Sequence, residues 1–492
     1  MGTAASRVLG FVRDWLIAVI YGTSVTAQAF VVAFRVPNLL RDLVGEGASN
    51  AAFVPVFTRT GAREGKASWV ELAQAVWCRL VVSFLIISAV GILAAPLLVR
   101  VVAPGFRSSP FLFHLTVDLT RILFPFIGLV GMAAFLMGLL NSVHHFATPS
   151  LGPAMLNLCM IAGLLWWPSE AKGLAWGVIA GGILQLAIQW PALKKAGVRL
   201  GLQWRNHPGV AQIQRMLVPR MIGSAVYQAS VLVDTIFASF PALVGPGGIA
   251  ALYFAHRFMH LPLALFGISM AQAALPTLSG QAAQGDREGA RRTLLMTLRS
   301  SLVIAIPASV GLIVLGYPII RTLLQRGEFS ADSTHLTVSA LQWYSVGLAS
   351  LCGVKVLANT LYAYHDTWTP VRSAAISLVV NVVFNCLLVR PMGLGGLALA
   401  TSLASTFNCL HLYSAVRRRI GPLPAEFLDW SFRVLLASLG MGLIVWALGR
   451  FQEGLPWLLF TITIGVASFF LAALLLRVEE VDRLVRWLFR RS

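Results

Sequence analysis

The sequence is short of charge. Of its 492 residues only 12% are Asp, Glu, Lys or Arg, whereas 57% are hydrophobic, and the mean hydropathy is +0.78. A water-soluble fold that apolar would lack the polar surface to cover itself, so a soluble domain is excluded and a membrane protein is implied. Acids are scarcer still, 19 against 38 Lys and Arg, which leaves a net charge of +19. In a membrane protein such an excess sits in cytoplasmic loops or in an internal cavity. Cysteine is sparse too: Cys78, Cys159, Cys352, Cys386 and Cys409 all fall in apolar stretches, odd in number and without a C-x-x-C pair. That argues against a disulfide framework or zinc site and reads as small core residues. The opening segment carries Arg7, Arg13 and Asp14 where a signal peptide needs an unbroken apolar run, so no cleavable leader is expected. Met1-Gly2 with Ser6 fits a myristoylation pattern that random sequence also fits.

What the chain does have is apolar stretches of roughly 20 residues, each enough for about 30 Å of hydrocarbon. They predict an all-α polytopic membrane protein of about 14 helices, near 4–22, 25–58, 74–100, 114–141, 150–167, 173–193, 211–240, 247–275, 293–321, 334–364, 369–390, 394–416, 429–449 and 455–477. The second is too long for one span and contains Pro37 and Gly45-Glu46-Gly47, so a bend or local unwinding is expected there. The loops after even-numbered helices carry the basic clusters: Arg63 and Lys66; Lys194, Lys195, Arg199 and Arg205; Arg287, Arg291 and Arg292; Arg417, Arg418 and Arg419. The positive-inside rule then places both termini in the cytoplasm.

Four correspondences recur at nearly one spacing. Asp14-x3-Ala18 matches Asp234-x3-Ala238, Ala33-Phe34-Arg35 matches Ala255-His256-Arg257, Gly45 matches Gly267, and His144-x3-Thr148-Pro149 matches His365-x3-Thr369-Pro370. A shared offset of about 220 residues across four sites implies a duplication. Six helices per copy is an even number, so the copies enter the membrane with the same polarity, as in parallel-repeat transporters, and leave a cleft for alternating access. The expected organisation is a six-helix lobe over 1–205, a second over 206–420, and two further helices with a basic tail over 421–492.

The first two spans hold Arg7, Arg13, Asp14, Arg35, Arg41, Asp42 and Glu46, and the eighth holds Arg257 between His256 and His260. An Arg near the bilayer centre costs at least about 2.5 kcal/mol, so such a cluster must face water or a partner. One reading is structural: Arg13 pairs with Asp14, and the charges lock helices together. The sharper one is that guanidinium groups converge on the cleft and bind a phosphate or pyrophosphate, which the planar Arg fork suits. Asp234, Asn381, Asn385 and Thr401 are oxygen donors suited to a hard cation, although intramembrane Asn and Thr commonly just bond neighbouring helices. Lys355, in the tenth span, is a partner for Asp234 or a gating residue.

These residues resemble a known family. Ser6-Arg7-Val8-Leu9-Gly10-Phe11 with Arg13-Asp14, Ala33-Phe34-Arg35-Val36-Pro37-Asn38-Leu39-Leu40-Arg41, Glu46-Gly47-Ala48 and Ala52-Phe53-Val54-Pro55 are similar to the signature of the MurJ/MviN lipid II flippases. Further stretches, such as Gln325-Arg326-Gly327-Glu328-Phe329, extend the likeness over essentially the whole chain. The resemblance implies the multidrug/oligosaccharidyl-lipid/polysaccharide exporter fold, with a groove between the last two helices for a polyprenyl tail. It implies a cargo, lipid II, the undecaprenyl-pyrophosphate-linked disaccharide-pentapeptide, moved to the outer leaflet of a bacterial cytoplasmic (inner) membrane without chemical change. By motif position it implies that Arg13, Asp14, Arg41 and Arg257, with Arg7 and Glu46, serve the cargo. It also implies that Asp234, Asn381, Asn385 and Thr401 match a sodium site of some members. No resident cofactor is expected, with sodium or proton coupling as the energy source; other cell-wall synthesis proteins are expected partners, and nucleic acid is not. Gln28, Asp42, His256, His260 and Asn385 depart from the family pattern. Asn385 in place of a carboxylate weakens cation affinity, and the histidines introduce groups that titrate near pH 6.5.

Two other transport readings share the scaffold: export of another polyprenyl-linked glycan, or of an amphipathic drug, the latter at odds with the arginine cluster. A membrane-embedded glycosyltransferase needs an acid or base on a sizeable outer loop, and the outer loops here are short and nearly devoid of Asp, Glu and His. A degenerate paralogue retained as a scaffold is the remaining alternative.

Overall fold

The computed structural model describes residues 2–44, 48–197, 200–202, 204–451 and 454–482. Every regular element among them is helical. In chain order these are α1 (Gly2–Tyr21), α2 (Val25–Val44), α3 (Ala48–Arg63), α4 (Gly65–Val102), α5 (Pro110–Leu123), α6 (Phe126–Ser142), α7 (Ala147–Trp166), α8 (Ala171–Lys195) and α9 (Pro208–Ala238). There follow α10 (Pro241–Val244), α11 (Gly248–Pro262), α12 (Ser269–Ala283), α13 (Arg287–Leu324), α14 (Ala331–Val346), α15 (Leu348–Ala363), α16 (Trp368–Ile420), α17 (Glu426–Leu448) and α18 (Leu455–Leu475). A π-helical stretch over Leu263–Ile268 joins α11 to α12. The residues divide into two compact units, Met1–Phe240 and Pro241–Ser492.

The protein is a multi-pass, all-α membrane protein. By length and apolarity nine stretches of the described residues qualify as spans, or ten when α14 and α15, bent by 46°, are taken as one. α16 is two spans in one helix, because Gly393 (φ 55, ψ −130) breaks it midway. The other predicted spans fall on α1, on α2 with α3, and on α9, which is short and apolar only over Gln228–Ala238 among the described residues. The predicted second span is two helices, α2 ending at Val44 and α3 starting at Ala48; residues 45–47 lie outside the described residues. The cysteines are free, but the core reading fails for Cys386, which is exposed on α16.

The duplication is visible in the elements themselves. α4 and α13 are both 38 residues long, starting at 65 and 287 and ending at 102 and 324. Ser109 caps α5 by accepting from the Leu112 N–H, and Ser330, its counterpart in the second copy, caps α14 by accepting from the Ser333 N–H. Each cap satisfies one of the orphan donors that a helix start leaves exposed.

Two kinds of packing hold the first unit. Phe53 and Phe57 of α3 meet Phe135 of α6 edge-on, with ring centroids 5.4 and 5.9 Å apart, in a core completed by Trp69, Leu72, Leu139 and Ile213. α7 and α8 pack backbone to backbone. A Cβ on Gly177 would stand 2.6 Å from the Cys159 carbonyl oxygen, and one on Gly163 would stand 2.4 Å from that of Gly173. With Gly173, Gly177 and Gly181 spaced by four, α8 presents a small-residue stripe of the kind that lets membrane helices approach closely. In the second unit, α17 and α18 pack on α13 through Val434, Met441, Val445 and Phe469. After α18 the chain turns at Arg477 (φ 54) and buries Val478 and Val481. Glu479 and Glu480 there lie 3.3 and 3.6 Å from Arg299 of α13, and Glu480 accepts from the Trp430 indole N–H.

Candidate functional site

Within the first unit the charges of α1 are organised by α7. Arg13 is buried, 7% exposed. Its Nε and Nη2 both donate to Asp14 Oδ1, at 3.0 and 2.6 Å. Its Nη1 donates to Asn157 Oδ1 of α7 at 2.7 Å and lies 3.9 Å from Met160 Sδ. Asn157 in turn donates to the Ser6 carbonyl at 3.0 Å, so one amide clamps both the guanidinium and the start of α1. Arg7 is exposed. It stands two helical turns before Asp14, which puts both on one helix face. The structural pairing of Arg13 with Asp14 is therefore present, with Asn157 as a partner the sequence did not disclose. A single Asn in an apolar helix gives no signal beyond its rarity there.

Arg35 of α2 donates to the Val231 carbonyl of α9 at 3.2 Å and to the Thr235 hydroxyl. Its counterpart in the second copy, Arg257 of α11, is exposed and stacks over the Tyr253 ring at 5.3 Å while donating to its hydroxyl at 3.3 Å. The two copies have thus diverged: one guanidinium ties helices together and the other stands at the surface of its unit. Around Arg257 the second unit gathers two histidines and a lysine. His256 and His260 have ring centroids 4.2 Å apart, His256 meets the edge of Tyr344 at 6.0 Å, and Lys355 of α15 and Arg257 both act electrostatically on His260.

Glu46 lies outside the described residues, as do the side chains of Arg41 and Asp42. Arg13 and Arg257 stand in different units, each with the local partners above. Three of the four oxygen donors lie in the second unit and bond one another in series. Asn385 donates to Asn381 Oδ1 at 3.1 Å, Asn381 donates to Thr401 Oγ1 at 3.2 Å, and Thr401 donates to the Leu397 carbonyl at 3.2 Å. This ladder crosses between the two halves of α16 and does what intramembrane amides commonly do, joining adjacent helices. Asp234 is buried in α9 of the first unit. Among the described residues no group of three or more His, Cys, Asp or Glu gathers to hold a metal.

The fold and its duplicated elements are those of a multi-pass transporter. An inward-facing multidrug resistance MATE transporter of the MOP superfamily superposes with a TM-score of 0.73, covering 86% of this chain and 96% of that one at 14% identity, a likeness of fold. A solved lipid II flippase MurJ, in its inward closed conformation, superposes with a TM-score of 0.82 at 26% identity, covering 97% of this chain and 98% of that one. The family profile described as lipid II flippase MurJ matches residues 17–465, and the chain belongs to this family. The lipid II flippase MurJ of Burkholderia cenocepacia is 34% identical over 426 residues, 85% of this chain and 82% of the relative. The probable lipid II flippase MurJ of Vibrio cholerae is 34% identical over 503 residues, 98% and 95% of the two chains.

Proposed function

We propose that this protein carries lipid II from the cytoplasmic to the outer leaflet of a bacterial inner membrane by alternating access, with both termini in the cytoplasm. Membership of the lipid II flippase family, end to end, is the observation that carries the cargo. The distribution of Lys and Arg supports the orientation.

In this reading the arginines hold the pyrophosphate. Arg13 starts as a neutral pair with Asp14, and a diphosphate competes with that carboxylate for the guanidinium, for which it offers more oxygens and more charge. Asn157 holds the guanidinium in place during the exchange. Arg7, exposed on the face of Asp14, and Arg257, with Lys355 nearby, supply further positive charge, and Arg41 and Glu46 join them by motif position. The last two helices, α17 and α18, keep the polyprenyl tail in lipid. An inside-negative potential contributes about 2.3 kcal/mol per charge per 100 mV toward outward movement of a net negative complex. Sodium coupling through Asp234, Asn381, Asn385 and Thr401 is weakened by the amide at Asn385, which leaves proton or potential coupling. The cargo leaves chemically unchanged, and neighbouring cell-wall synthesis proteins deliver and consume it.

The test is replacement of a host's essential lipid II flippase by this gene. Growth is expected with the wild type and lost with Arg13→Ala or Arg257→Ala at equal expression. Normal growth of both variants overturns the arginine assignment while leaving the cargo intact.

A further inference from the structure

The turn that ends α6 and the turn that ends α15 are copies, yet only the second carries an acid. In the second copy Asp366 accepts from the Thr369 N–H at 2.9 Å and from its hydroxyl at 2.8 Å, and it is closed by an ion pair to Arg419 at the end of α16. Glu288, at the second position of α13, pairs with Arg291 at 3.1 Å. The second copy therefore sets an acid against a cation at each of these two positions.

In the first copy both acids are gone. His145 is the counterpart of Asp366 and bonds Thr148 at 2.7 Å, as Asp366 bonds Thr369. Lys66, at the second position of α4, replaces Glu288. Lys195, two residues before the left-handed Gly197, replaces Arg419, which stands two residues before the left-handed Gly421. Around these three residues lies a cavity of about 660 Å³, walled by Phe57, Trp69 and Val143. The Lys66 ammonium reaches across its mouth toward α8, so close that a Cβ on Gly197 would be 2.9 Å from Nζ. The neighbouring Glu64 is engaged by the Ser68 hydroxyl and lies 3.7 Å from His207. Cations at the rim, apolar walls below and no acid among the lining residues make a pocket for an amphipathic anion.

We propose that this cavity binds an anionic phospholipid of the surrounding leaflet, with its phosphate between Lys66 and Lys195 beside His145 and its first methylenes against Trp69 and Val143. The wall fixes the choice of a lipid over a free phosphate, since an inorganic ion leaves the apolar surface in water. The site lies wholly in the first unit, and none of its lining residues is among the arginines assigned to the cargo.

The test uses the full-length protein in detergent. Native mass spectrometry counts retained phosphatidylglycerol and phosphatidylcholine, with inorganic phosphate as a competitor. One phosphatidylglycerol is expected to bind at least about tenfold tighter than phosphatidylcholine, and Lys66→Glu with His145→Asp, which restores the charge of the second copy, is expected to abolish that preference. Lys66→Arg with Lys195→Arg keeps it. Lys195→Gln reads the same interaction should the double acidic variant fail to fold, and is expected to reduce the preference several-fold. Equal retention of both lipids by the folded wild type overturns the proposal. So does a preference unchanged in the folded acidic variant or Lys195→Gln, or full displacement of the lipid by millimolar phosphate.

Discussion

His144 and His365, counterparts in the two copies, hold the same left-handed conformation, φ 59 and φ 58. In each the turn is closed identically: the histidine N–H donates to the carbonyl three residues back, and the next N–H donates to the carbonyl five residues back, Leu140 or Leu361. This is a Schellman helix end with histidine where glycine is usual. A side chain there costs about 1–2 kcal/mol relative to the right-handed form, and glycine offsets that by its greater freedom when unfolded. We expect His365→Gly to change stability by less than about 1 kcal/mol, with His365→Val lowering the melting temperature in detergent clearly. Equal melting of the glycine and valine variants contradicts the turn.

Much of this architecture was legible in the sequence for physical reasons. Long apolar runs report spans because a bilayer demands length and apolarity together, and the offset between copies reports the duplication because both halves keep the same turns and caps. The bend at Gly393 and the pairing of Arg13 with Asp14 also follow from local sequence. Asn157 does not, because its meaning comes from contact with a helix far earlier in the chain. The stripe of Gly173, Gly177 and Gly181 marks a close packing face, but only the structure shows that Gly163 and the Cys159 backbone lie against it. The four proposed cation ligands are alike in chemistry; only the structure shows that Asn381, Asn385 and Thr401 bond one another in series.

Asn157 holds Arg13 through an amide that also bonds the α1 backbone. Asn157→Leu leaves a buried guanidinium hydrogen without its acceptor, a loss of about 1–3 kcal/mol. Both thermal stability and complementation are expected to fall, whereas Asn157→Gln is expected to recover part of each. Full activity of the leucine variant removes Asn157 from the account.

The Gly177 position has no room for a side chain. Gly177→Ala is expected to cost about 1–3 kcal/mol by forcing α7 and α8 apart. The displaced α7 carries Asn157, so the variant is also expected to weaken complementation at temperatures where the protein remains folded. A melting temperature equal to wild type refutes the close packing.

Asp366 lies outside the spans, between α15 and α16. Partial burial works against its charged form, but hydrogen bonds from Thr369 and Arg419 outweigh this and hold its carboxyl below the ordinary value of 3.8. Its contribution to stability is therefore complete above that value and is lost as the pH falls through the lower folded value. Asp366→Asn is expected to melt lower than wild type above about pH 5, with the gap closing toward about pH 3. A pH-independent gap across that range contradicts the ion-pair origin.

The central claim is that this chain moves an intact lipid-linked diphosphate between leaflets. The most direct measurement reconstitutes the purified protein into vesicles with labelled lipid II and follows its accessibility to a membrane-impermeant reagent. The account predicts protein-dependent movement of unmodified lipid II that Arg13→Ala abolishes. Vesicles holding folded wild-type protein that exchange the lipid no faster than protein-free vesicles, under an imposed inside-negative potential, contradict it.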